Sequence, residues 1–155
     1  MIQHDLEPII RAHPFFKGLE ERHMQLIVGC AKNVRFEEGT PIFHQGDPAD
    51  NFYLVREGLV ALEVMTPHRG PAAVQTVGEG DVLGWSWLFE PYRWHFDART
   101  LQPTRALAFD GKCLRTKCEE DHDLGYEVLK RFTRIVTGRL EATRLQLLDL
   151  YGANA

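Results

Sequence analysis

Between Val34 and Phe109 the sequence breaks on a glycine every few residues, and this punctuation limits the possible folds more than any other feature. Gly39, Gly46, Gly58, Gly70, Gly78, Gly80 and Gly84 fall at or near the ends of short β-rich runs: Phe52 to Val55, Leu59 to Val64, Ala73 to Val77 and Arg105 to Phe109. Tight corners require backbone angles that glycine adopts cheaply. Runs so short and so evenly spaced predict an antiparallel β-roll or jelly roll.

Helical patterning flanks that middle. Residues 2 to 12 and 20 to 32 carry apolar side chains at helical spacing, Met24, Ile27, Val28 and Ala31 among them, with Pro14 breaking the pattern between them. From about Asp123 to Tyr151 there is no proline, which predicts one long helix. The architecture is then α+β and mainly β: residues 1–122 hold the N-terminal helices and the roll, residues 123–151 the helix. A chain of 155 residues has room for one core, so the two parts form a single unit.

Along the long helix, Leu129, Phe132, Val136, Leu140 and Leu147 recur at three-and-four spacing with Thr143 in the stripe, while Ile135, Leu145 and Leu148 widen it. A roll alone would not cover so much apolar surface. The expectation is a homodimer through this helix; the alternative is a helix folded back on its own domain. Its five bases balance its five acids from Asp121 to Leu150, which describes a solvated face and not a DNA-reading helix.

Composition removes several function classes. A formal net charge of -4 repels a phosphate polyanion, so nucleic-acid binding by this chain is not expected. Membrane insertion is not expected either, because no stretch reaches the roughly eighteen apolar residues of a span. Three cysteines, an odd and sparse set, suit a reducing cytoplasm, and Cys113 and Cys118 read as ordinary thiols rather than zinc ligands. His44, His68 and His95 are scattered over different segments and spell no metal site. With no nucleophile elbow, phosphate-cradling loop or HExxH pair, an enzyme is not expected.

The chain resembles the cyclic-nucleotide-binding domain family, the sensor half of catabolite-activator-type regulators, over roughly residues 13 to 150. His13, Pro14, Phe15, Phe16 and Leu19 look like its opening helix motif. Gly39, Ile42, Gly46, Tyr53, Val55, Gly58 and Val60 follow its first strands and corners, and Gly80, Asp81 and Gly84 lead into the place of its phosphate-binding cassette. The resemblance implies a roll that holds a cyclic nucleotide against a short helix, with the long helix drawn over the ligand. It also implies an acid just after the cassette glycine for the ribose hydroxyl, and an arginine about ten residues later for the cyclic phosphate.

Both anchors are absent. Trp85 follows Gly84, and the arginine position falls on His95 or Phe96. Arg93 and Arg99 are the substitutes within reach, although strand alternation would set Arg99 beside Asp97 on one face, where the two would pair. Between Gly84 and Phe96 stand Trp85, Trp87, Phe89, Tyr92, Trp94 and Phe96, including all three tryptophans of the chain. These rings either line a cavity for a flat ligand, with His95 or Arg93 as polar contact, or plug the pocket or form a patch for a partner protein. The candidate ligand-binding set is Gly84, Trp85, Ser86, Trp87, Arg93, His95, Phe96 and Arg99.

The function expected is therefore a regulatory sensor acting through a small-molecule ligand or a partner protein. The ligand would be a cyclic nucleotide or another small planar molecule. Alternatives are an interaction module with a filled pocket, and the sensor half of a transcription regulator that still binds a cyclic nucleotide. The chain stops at Ala155, before any helix-turn-helix reader, so direct DNA reading is not expected of it.

Overall fold

The computed structural model describes residues 2–153. Helix α1 (Ile2–Ala12), a 3-10 turn (Pro14–Phe16) and helix α2 (Glu21–Val28) lead into eight strands. These are β1 (Ala31–Phe36), β2 (Pro41–Phe43), β3 (Asn51–Glu57), β4 (Leu59–Thr66), β5 (Gly70–Gly78), β6 (Val82–Leu83), β7 (Asp97–Thr100) and β8 (Thr104–Asp110). Helices α3 (Gly111–Glu120) and α4 (His122–Ala153) follow. One antiparallel sheet runs β1-β8-β3-β6 and the other β2-β7-β4-β5, which is the roll that the glycine punctuation predicts.

Burial explains why the sheets face each other. Phe52 to Val55 on β3 and Val60 to Glu63 on β4 are each four successive buried residues, so both strands are covered on both faces. In the β3–β8 register Phe52 sits opposite Phe109, and Leu54 opposite Leu107, on the face turned to the helices. There Phe52 stacks on Phe109 at 4.5 Å and on Trp87 at 5.0 Å, while Phe132 of α4 meets Phe52 edge-on.

The N-terminal helices depart from expectation in one respect. Helix α2 ends at Val28 rather than near residue 32, because Ala31 already opposes Phe109 in the β1–β8 ladder and the chain must turn at Gly29 and Cys30 to get there. Helix α3 has no strong sequence pattern, since Leu114 and Gly111 are its only buried residues. Its start is fixed by Asp110, whose side chain accepts from the Cys113 amide at 3.0 Å.

Helix α4 is long and unbroken, as the missing prolines predict. Asp121 caps it by accepting from the Leu124 amide at 3.2 Å. Leu124, Val128 and Phe132 form a buried stripe, so the first half is folded onto its own domain. Phe132, placed by sequence in a self-association seam, is 0% exposed and committed to the aromatic core instead. Leu129 is exposed before it, and beyond it follow the exposed Leu140, Leu145, Leu147, Leu148 and Leu150. Among the described residues, no helix is long and apolar enough to cross a membrane.

Candidate functional site

The cassette region begins in a hydrogen-bonded corner. The Asp81 carboxylate accepts from the Gly78 amide at 2.9 Å, the Gly80 amide donates to Val55 O at 2.8 Å, and the Val55 amide donates to Asp81 O at 2.9 Å. Strand β6 then pairs with β3 and delivers the chain to Gly84. Where a phosphate-binding helix would follow, the chain makes only one 3-10 turn, Ser86–Leu88. Its hydroxyl is engaged, because Ser86 Oγ lies 3.0 Å from His95 Nδ1.

Trp85, which follows the cassette glycine, and His95, one of the two residues at the expected arginine position, touch each other. The Trp85 indole stacks on the His95 imidazole with centroids 4.9 Å apart and planes 23° apart. Trp87 turns the other way, fully buried against Phe52 and Phe132, and Trp94 stacks flat on Phe43 at 3.6 Å. The aromatic run is thus divided: Trp87 and Trp94 build core, whereas Trp85 and Phe96 line open space.

That space is a cavity of about 270 Å³ between the roll and α4. Its apolar walls are Leu62, Val74, Trp85, Phe96, Val136 and Leu140; its polar groups are Gln75, Arg139 and Thr143. A second, more open cavity of about 620 Å³ adjoins it, sharing Val74, Gln75 and Arg139 and reaching Asp81 and Gln146.

Neither substitute arginine enters these cavities. Arg93 Nη1 donates to Gly46 O at 3.1 Å on an exposed loop. Arg99 forks onto Glu63, its Nε 3.2 Å from Oε1 and its Nη2 2.9 Å from Oε2. The expected Arg99–Asp97 pair does not form. Register sets Arg99 opposite Ala61 and diagonal to Glu63 on the neighbouring strand, within easy reach of a fork, and Asp97 accepts from the Gln45 amide at 2.6 Å instead. Of the eight candidates, Trp85 and Phe96 line the smaller cavity, Gly84, Ser86, Trp87 and His95 support or surround that segment, and Arg93 and Arg99 lie elsewhere.

The cation that does line both cavities is Arg139, which sequence reasoning placed on a solvated helix face. Its Nη2 donates to Val82 O at 2.7 Å, and its Nη1 is buried without a hydrogen-bond partner. Burial lowers its pKa, and the nearby Asp81 charge works against that shift. One signal could have found it: Arg139 stands four residues after Ile135 and three before Ala142, in the row that faces the roll. Two further bonds strap α4 to strand β5, from Gln146 Nε2 to Val74 O at 2.9 Å and from Gln75 Nε2 to Arg139 O at 3.5 Å. Among the described residues no cluster of three or more His, Cys, Asp or Glu could hold a metal ion.

Comparison with known proteins agrees with this fold. The model of a family described as the cyclic nucleotide-binding domain matches residues 33–121. A structure from Geobacter metallireducens GS-15, described as a cyclic nucleotide-binding protein, is 27% identical with a TM-score of 0.77, covering 90% of this chain and 98% of that one. The sensor domain of the transcriptional regulator DNR from Pseudomonas aeruginosa shares the fold, with a TM-score of 0.71 at 18% identity over 90% of this chain and 93% of that one. The CRP-like cAMP-activated global transcriptional regulator of Mycobacterium tuberculosis (strain ATCC 25618 / H37Rv) is 24% identical over 145 residues. That match takes in 94% of this chain and 63% of the regulator, so the chain spans less than two thirds of that relative.

Proposed function

The chain belongs to the cyclic nucleotide-binding domain family, and from that premise we propose a regulatory sensor whose roll binds a small molecule or a partner without the family's sugar-phosphate anchors. One observation carries this reading: Trp85 and His95, at the anchor positions, stack on each other and offer no acid and no guanidinium. A buried charge-assisted bond lost from one partner costs about 2 to 5 kcal/mol, so losing both leaves a cyclic nucleotide weakly held. A ligand beneath α4 would act on the bonds from Gln146 and Arg139 that strap the helix to the roll. The protein works by being bound and not by turning over a substrate.

The exposed leucines of α4 support a homodimer, and three free cysteines suit a reducing cytoplasm. Calorimetry against cyclic AMP and cyclic GMP tests the main claim. No saturation below about 1 mM is expected, and a dissociation constant in the low micromolar range for either nucleotide would refute it. A second reading, the sensor portion of a longer transcription regulator, is favoured by the 94% of this chain that aligns with the mycobacterial relative. A native gene product heavier than 155 residues would support it.

A further inference from the structure

Arg139 lines both cavities beneath α4. Helix α4 carries it beside the roll, where one terminal guanidinium nitrogen, Nη2, is satisfied by Val82 O and the other terminal nitrogen, Nη1, is buried and unpaired. An unsatisfied buried cationic donor is costlier than a neutral one, and such a group in a folded protein points to an absent partner. Asp81 is the nearest candidate within the chain. Its Oδ2, however, accepts from the Gly78 amide at 2.9 Å, and no ion pair joins it to Arg139. Among the described residues no other lysine or arginine lines either cavity.

The surroundings limit the shape as well as the charge. Trp85 and Phe96 present flat apolar walls, and the stack on His95 fixes the indole plane. At about 270 Å³ the cavity lies just under the roughly 300–1,000 Å³ of common ligand pockets. A partly open cavity with aromatic walls and an incompletely paired guanidinium suits a flat molecule with one acidic group.

Building on the sensor reading above, we propose that this cavity takes a small planar monoanion, an aromatic carboxylate in chemical class, with the carboxylate on the Arg139 guanidinium and the ring against Trp85 and Phe96. The anion is held from the helix, where the family resemblance would hold a phosphate from the roll. Its carboxylate completes the guanidinium's hydrogen bonding and adds a link between α4 and the cavity wall.

Titration of ¹⁵N-labelled protein with 1-naphthoate and with uncharged 1-naphthamide tests both parts, read at the indole N–H signals. Naphthoate is expected to shift the Trp85 signal to saturation and to bind at least about tenfold more tightly than the amide. Arg139→Gln abolishes that preference, and Arg139→Lys, which keeps the charge without the fork, retains part of it. The indole signals of Trp87 and Trp94 report the core and verify that each variant is folded. Equal affinities for acid and amide in the parent protein overturn the proposal. So does a Trp85 signal unmoved up to about 10 mM naphthoate, or a preference that survives in Arg139→Gln. Cyclic AMP, titrated in parallel, separates the two ideas: its tight binding defeats the lost-anchor reading, whereas no response to either compound defeats only the aromatic anion.

Discussion

At Gly84 the backbone takes φ +97°, and a Cβ there would lie 2.8 Å from the Trp94 ring. Positive φ costs an ordinary residue about 1–2 kcal/mol, and forcing an extra carbon into packed rings costs about 1–3 kcal/mol more. Gly84→Ala is therefore expected to lower stability by about 2 to 5 kcal/mol, measured as a shift in urea midpoint with an unchanged slope. In a Trp94→Leu background the same substitution should cost distinctly less, since only the backbone part remains. A corner at Gly84 is legible in the sequence because glycine marks it. The ring that closes over it is not, since an irregular loop has no period to place one side chain against another. Arg139 is not legible for a related reason: charge counting treats every helix base alike and ignores which row of the helix it occupies.

At the scale of elements, α4 shows where periodicity informs and where it falls short. Its extent is legible within a few residues, because nothing interrupts the pattern from Asp123 to Tyr151. The apolar stripe, however, serves two purposes in succession, and three-and-four spacing looks the same for both. Leu124, Val128 and Phe132 pack inward, whereas Leu145 and Leu148 are 61% and 63% exposed. Leu148→Asp is thus expected to halve the mass seen by light scattering while leaving the helical circular dichroism intact; monomeric masses for both parent and variant would remove the homodimer, and an unchanged dimeric mass would remove the α4 seam. Helix α3 is not legible because one buried leucine makes no stripe, and the sequence pattern overextends α2 because Ala31 satisfies both a helical row and a strand ladder.

Across the whole molecule, the helices on the outer face of the roll meet at Asp121. This residue closes α3, caps α4, and faces Arg22 and His23 of α2. Burial alone would raise its carboxyl, but the Leu124 amide and the Arg22 and His23 charges outweigh that and hold it below the usual aspartate value of 3.8. A depressed acid contributes stability that is complete above its unfolded pKa and is lost as pH falls through the folded one. The fold should therefore weaken below about pH 4, and Asp121→Asn should narrow the gap between urea midpoints at about pH 7 and about pH 3. An unchanged gap would mean that the other depressed acids, Glu7, Glu21 and Glu127, carry the acid response. Sequence patterns reveal the roll and both helical flanks, yet they leave this junction hidden, because its members lie about a hundred positions apart.

Because α4 runs unbroken past the core, it can serve as a lever pivoting where Phe132 is wedged among the rings. Arg139 lies about 10 Å along the axis from that fulcrum and Tyr151 about 28 Å from it, at 1.5 Å per residue. A small tilt started at the cavity would thus arrive at the leucine-bearing tip magnified roughly threefold.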